Sequence, residues 1–244
     1  MAWHGERLIG FDLETTGTDP REARIVTAAV VELSGPGCGP GPGEHRLWLA
    51  DPGVHIPEQA AAIHGITSEK AAAEGRPARE VADEVADALC AHWDRGVPVV
   101  AYNAAFDLTL LTAELARHRL PSLTDRLAGR DIGPVIDPYT IDRAVDRYRK
   151  GKRTLEAVCA EYGVALTTAH DATSDATAAV RVARALAARH TKVAAMTAAE
   201  LHEHQITWYA TWAKDFESFL RRKGERDAHV DPHWPLRATT LTDA

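Results

Sequence analysis

Arg7-Leu-Ile-Gly-Phe-Asp-Leu13, running into Glu14-Thr-Thr-Gly-Thr-Asp-Pro20, is the stretch on which the fold turns. Its first half is apolar and its second half is a cluster of Thr, Gly, Asp and Pro, so it reads as a buried strand ending in a turn. Alternate residues of a strand project to one face, which sets the carboxylates of Asp12 and Glu14 side by side at the strand's C-terminal end. Two acids placed so repel each other unless a cation joins them, and hard divalent ions prefer such oxygen ligands. Taken alone, Asp-x-Glu reads equally well as a solvated strand end.

Working outward, residues 24–33 are rich in Val, Ile and Thr and read as a second strand, and residues 44–50 as a third. Between them, Gly35-Pro-Gly-Cys-Gly-Pro-Gly-Pro-Gly43 cannot continue a strand and reads as a long flexible hairpin loop, giving an antiparallel meander. The period then changes. Val81, Val85 and Leu89 are spaced for a helix over 77–93, and Leu108, Leu111 and Leu115 for one over 105–118. Residues 97–102 are a short apolar strand between them, and 133–137 an edge strand. Helices follow over 139–148, over 154–162 (closed by Gly163) and over 173–188. The fold class is α/β: a mixed sheet, meander plus parallel strands, flanked by helices.

Past Lys192 the composition shifts towards aromatics. Thr197-Ala-Ala-Glu200 is a capping box, and Trp208, Trp212, Phe216 and Phe219 recur at helical spacing before Arg221-Arg-Lys223 and Gly224. The expected division is a domain over 1–190, a docked C-terminal helical extension over 191–226 and a tail over 227–244.

With 244 residues, 45% of them hydrophobic and 26% charged, the chain can bury a sizeable core. No apolar run approaches the ~20 residues of a membrane helix, and the start lacks a signal-peptide core, so a cytoplasmic location without membrane contact is expected. Cys38, Cys90 and Cys159 are odd in number and widely separated, which argues against a disulfide framework or a thiolate zinc site. The formal charge of −7 does not advertise nucleic-acid binding. It is nevertheless compatible with a nuclease whose carboxylates are offset by bound cations.

Two further elements carry chemistry. Asp107 stands in the first turn of its helix, where an acid is favourable for the dipole alone, with Asn103 placed as the N-cap. His170-Asp-Ala-Thr-Ser-Asp175 places a His on the approach to a helix and an Asp within that helix's first turn. Each is commonplace in isolation. Together with Asp12-Leu-Glu14, in this order and placement, they resemble the DEDDh (DnaQ-like) 3′–5′ exonucleases, the group that contains the proofreading epsilon subunit of bacterial DNA polymerase III. Ile63-His-Gly-Ile-Thr67 and Thr154-Leu-Glu-Ala-Val-Cys159 with Tyr162-Gly163 also resemble family segments, and the likeness covers residues 6–190.

The resemblance implies a ribonuclease-H-like fold and hydrolysis assisted by two divalent ions, Mg²⁺ or Mn²⁺, about 3.5–4 Å apart. It implies that Asp12 bridges both ions, that Glu14 and Asp175 complete one site and that Asp107 holds the other, largely through water. His170 becomes the general base, a task that suits an imidazole. Leu13, Thr15 and Asn103 fall where the terminal nucleotide binds, Leu13 through its backbone. Phe106 packs either on a base or sugar or into the core. The expected partner is nucleic acid with a free 3′ end, DNA favoured and RNA open, with a DNA polymerase or sliding clamp as a further partner.

Other residues read more blandly. Asp171 faces solvent, Asp137 serves a turn, and His64 is structural. Arg143, Arg147, Arg149, Lys150, Lys152 and Arg153 form the densest basic stretch and either track phosphates or make a solvated surface. Gln205-Ile-Thr-Trp-Tyr-Ala210 faintly resembles clamp-docking peptides, but its helical setting favours packing against the domain. The alternatives are an RNA or oligoribonucleotide exonuclease, a metal phosphoesterase for small nucleotides, and a non-catalytic clamp- or polymerase-binding module.

Overall fold

A computed structural model describes residues 2–35 and 45–238. The meander forms as expected: β1 (Arg7–Thr15), β2 (Ile25–Ser34) and β3 (His45–Asp51) pair antiparallel. Apart from Gly35, the expected hairpin loop and Cys38 lie outside the described residues. After β3 come α1 (Glu58–His64), α2 (Ser68–Glu74), the short β4 (Arg76–Pro77) and α3 (Ala78–Trp93). Then β5 (Val99–Val100), α4 (Ala104–Arg117), α5 (Leu123–Arg126), β6 (Val135–Ile136) and α6 (Pro138–Val145) follow. The chain continues through α7 (Leu155–Tyr162), α8 (Ala172–Arg189), α9 (Thr191–Ala194) and α10 (Ala198–Arg222).

The six strands order as β4-β3-β2-β1-β5-β6, with β5 parallel to β1 and β6 parallel to β5. Period-two alternation divides β1 between two cores. Ile9, Phe11 and Leu13 pack with α3 and α4, while Leu8 packs with α7 and α8 on the opposite face. Asp12 and Glu14 therefore face the α8 side. The β1–β2 register shifts between Glu14 and Thr15. Such a bulge re-aims side chains at the strand's end.

The parallel strands are shorter than expected. The runs 97–102 and 133–137 contribute only two paired residues each. An edge strand this short leaves backbone groups open, and α10 closes them with side chains. The Val135 N–H donates to His202 Nδ1 at 3.1 Å. Gln205 Nε2 donates to the Val135 carbonyl at 2.9 Å, and Gln205 Oε1 accepts the Asp137 N–H at 2.6 Å. Gln205 is fully buried by these contacts, in keeping with the expected packing of this segment against the domain and not with a clamp-docking peptide.

The segment expected as a tail is also packed as far as residue 238. Trp234 is 4% exposed and its Nε1 donates to Asp137 Oδ2 at 3.3 Å. Beyond it, the Arg237 N–H donates to Thr109 Oγ1 on α4. Two buried aromatics, Tyr209 and Trp234, thus join the core built by α3 and α4.

Gln205→Leu should lower the free energy of unfolding by about 2–4 kcal/mol, because it strands a buried N–H and a buried carbonyl at about 1–3 kcal/mol each. Urea unfolding with an unchanged m-value checks this. A loss below about 0.5 kcal/mol would mean that the edge groups find other partners.

Candidate active site

Three helix or strand ends converge where β1 finishes. Asp12 and Glu14 come from β1, Asp107 from the first turn of α4 and Asp175 from the first turn of α8. Both helices point their N-termini at the cluster, where the macrodipole favours negative charge. Asp107 is 5% exposed, and its Oδ1 accepts the Leu13 N–H at 3.2 Å. That bond reaches between the two acids of β1 and ties α4 to them.

Asp175 is fixed differently. Asp171 N-caps α8 by accepting the Ser174 N–H at 2.9 Å. It is partly buried and adds to the local negative field, a structural role beyond the solvent-facing one expected. The His170 N–H donates to Asp175 Oδ2 at 3.2 Å, with His170 held in the left-handed region at φ 63°. The His170 ring is exposed. Ligand atoms of Glu14, His170 and Asp175 lie within 4.8 Å of one another.

Crowding has an electrostatic cost. Burial, then the charges of Asp107, Asp175 and Glu14, push the Asp12 carboxyl well above the usual range. Burial also raises Asp107, against the hydrogen bonds it accepts. Glu14 is pushed up to about 7 by burial, then by Asp175 and Asp171. Asp175 is pushed up to about 6 by burial, although the His170 N–H and ring act the other way. Asp175 Oδ1 is buried without a hydrogen-bond partner. An orphaned carboxylate oxygen among four mutually repelling acids is a donor set that fits hard divalent cations.

The substrate-side expectations fare unevenly. Leu13 is buried in the core and its N–H is taken by Asp107, so that backbone donor is not open to a nucleotide. Thr15 turns its hydroxyl onto the Gly17 carbonyl. Phe106 is partly buried and packs against the core. Asn103 stands at the N-cap of α4 at φ 65°, but its side chain makes no capping bond; instead its N–H donates to Asp137 Oδ1 at 2.9 Å. His64 accepts the Ile66 N–H through Nδ1, and burial lowers its pKa.

Two residues hold more of the site than their sequence setting suggests. Asp137 is wholly buried and caps α6 while also holding Asn103, Thr140 and Trp234. Gly10 is the other: a Cβ there would lie 2.4 Å from the Ala176 carbonyl oxygen. Only a bare backbone lets α8 come this close to β1, and Asp175 immediately precedes the contact. A glycine inside a buried strand is the signal that marks such an approach.

A ribonuclease-H-like sheet bearing this carboxylate cluster defines the class. A family model described as Exonuclease (RNase_T) matches residues 9–183, and the chain belongs to that family, which is of the DnaQ-like 3′–5′ exonuclease type. Among its relatives, the DNA polymerase III subunit epsilon of Treponema pallidum (strain Nichols) is 26% identical over 183 residues, covering 75% of this chain and 77% of that protein. The DNA polymerase III PolC-type of Streptococcus thermophilus (strain ATCC BAA-491 / LMD-9) is 29% identical over 173 residues, 70% of this chain and 10% of that protein.

The zinc-ion-bound E. coli ExoI–ssDNA complex shares the fold with a TM-score of 0.64 at 20% identity, covering 77% of this chain and 42% of that one. Exonuclease I from Methylocaldum szegediense gives 0.59 at 26% identity with the same coverages. The chain therefore spans less than half the length of these solved exonuclease I structures. Among the described residues, no helix is long and apolar enough to cross a membrane.

Two outcomes follow. The native state holds the Glu14 proton more tightly than the unfolded chain does, so stability falls as pH rises through about 7. In the metal-free protein Glu14→Gln should therefore gain thermal stability over wild type as pH is raised from about 5 to about 8. A difference in Tm that does not change with pH would refute the repulsion. Gly10→Ala should displace α8, destabilise by about 1–3 kcal/mol and weaken Mn²⁺ binding measured by calorimetry. Unaltered Mn²⁺ affinity would show that the close approach does not set the site.

Proposed function

We propose that this chain releases nucleoside monophosphates from DNA 3′ ends by hydrolysis assisted by two divalent ions, Mg²⁺ or Mn²⁺. The observation that carries the proposal is the convergence of Asp12, Glu14, Asp107 and Asp175 beside the exposed His170 at the end of β1. Asp12, at the centre of the mutual repulsion, would hold both ions. Glu14 and Asp175 would complete one site and Asp107 the other. When bound, the ions supply positive charge that offsets the four acids and the charge that builds on the phosphoryl oxygens.

His170 acts as the general base. Its ring stands at the open side of the cluster, and its backbone is anchored to Asp175, so the imidazole is positioned without being buried. It takes a proton from the attacking water as the new P–O bond forms, and the bond to the 3′ oxygen of the preceding nucleotide breaks. The terminal nucleotide would lie against Thr15, Asn103 and Phe106. DNA is favoured over RNA because the similar proteins include a DNA polymerase III subunit epsilon and an ExoI–ssDNA complex. Association with a DNA polymerase rests on the likeness to the epsilon subunit and to the PolC-type polymerase.

Incubating 3′- and 5′-labelled single-stranded DNA and RNA with Mg²⁺ or Mn²⁺ should give stepwise shortening from the 3′ end, faster on DNA and absent in Asp12→Ala. His170→Ala should lower kcat by about 10²–10⁴ while retaining Mn²⁺ binding. Activity of Asp12→Ala equal to wild type would sink the site assignment, and faster RNA trimming would reverse the substrate preference.

A further inference from the structure

A cavity of about 880 Å³ opens between α6, the loop leading to α7, and the outer face of α10. It opens near the C-terminal end of β6, the end of the parallel strands at which the acid cluster also lies. Tyr139, on its wall, is the second residue of α6 and packs on Tyr102 with ring centroids 5.4 Å apart. The Tyr102 hydroxyl donates to the Arg153 carbonyl at 2.7 Å, and the next residue, Asn103, leads into α4 and Asp107. The cavity wall and the candidate active site thus share one turn at the same end of the parallel strands.

Its lining combines flat rings with cations. Trp212, Phe216 and Phe219 form a ribbon of nearly parallel rings along α10, at 5.5 Å and 16°, then 6.3 Å and 14°. The outer two are 38% and 44% exposed. Across from them Arg143 is held between the rings of Tyr139 and Trp212, 4.0 and 3.9 Å from their centroids. Among the described residues it has no carboxylate partner, and its Nη1 is buried without a hydrogen bond. Lys152 also lines the cavity without an ion pair among those residues, and is exposed.

The basic stretch as a whole does not lie free, however. Arg149 and Arg153 are bound to the buried Asp142, and Arg147 pairs with Asp215. Four cationic side chains and one acid line the cavity in a chain of net charge −7.

We propose that this cavity seats the single strand on the 5′ side of the nucleotide being removed, its bases on the α10 rings and its phosphates towards Arg143 and Lys152. Stacking on aromatic faces beside unpaired cations is how a protein grips single-stranded nucleic acid without reading sequence. Arg143 Nη2 donates to the Tyr139 hydroxyl, but a wholly apolar peptide would leave its Nη1 without a partner. The inference rests on the exonuclease reading, and makes α10 a strand guide as well as a cover for the sheet edge.

The test uses the full chain and a Phe219→Ala/Lys152→Glu variant, both exposed positions. Binding of fluorescein-labelled dT16 in EDTA, read by polarisation, should weaken about tenfold or more in the variant and show a shallower salt dependence. With Mg²⁺, the kcat/KM for dT16 divided by that for the p-nitrophenyl ester of thymidine 5′-monophosphate should fall about tenfold, through KM. Wild-type dT16 affinity in the variant, or equal losses on strand and ester, would overturn the proposal. If wild type binds dT16 but cleaves neither substrate, the catalytic reading fails and the strand site stands. If wild type does not bind dT16, the cavity serves another ligand class and the proposal fails.

Discussion

A single buried carboxylate holds together the end of the sheet that carries the acid cluster. Asp137 sits where β6 ends, wholly removed from solvent. It accepts the N–H groups of Asn103 and Tyr139, the Thr140 hydroxyl and the Trp234 indole N–H. Its own N–H is given to Gln205. Burying a carboxylate is costly, and only dense hydrogen bonding makes it tolerable; even so, burial leaves its pKa raised. Through these bonds Asp137 joins the β5–α4 turn, the start of α6, the C-terminal segment and α10. Where Asn103 goes, α4 follows, and Asp107 with it. A residue outside the acid cluster thus helps to set the position of one within it.

The opposite balance holds at the cluster itself. Four carboxylates face one another with few compensating donors, and the resulting repulsion opposes folding of the metal-free chain. The fold bears it because two helix N-termini point at the site and because Gly10 lets α8 sit directly on β1. Local stability is given up at this cluster, the usual relation between a functional site and the scaffold around it.

The C-terminal helix performs several tasks along its length. Its first half replaces a missing neighbour strand with His202 and Gln205, protecting an edge two residues long. Tyr209 turns into the core, while Phe216 and Phe219 remain partly open on the far side. This grading, from buried amide to exposed ring, gives one amphipathic helix both an inner contact and a free surface.

Local pattern made much of this legible in advance. Alternation in β1 put Asp12 and Glu14 on one face, helical spacing located α3, α4 and α8 to within a residue or two, and first-turn placement singled out Asp107 and Asp175. Those features depend on residues close in sequence, where backbone geometry alone sets direction. What only the tertiary structure decided depends on distant partners. Asp137 read as a turn residue because its bonds to Asn103 and Trp234 span 34 and 97 positions. Gln205 read as part of an amphipathic face because the strand edge it completes lies 70 residues away. Trp234 read as tail, and Gly10 as an ordinary strand glycine, because their neighbours come from other elements. The sequence by itself determined on which strand and helices the candidate acids ride. The tertiary structure decided how closely those elements approach and which buried groups hold them there, since packing and hydrogen bonds between distant segments leave no periodic trace in the chain.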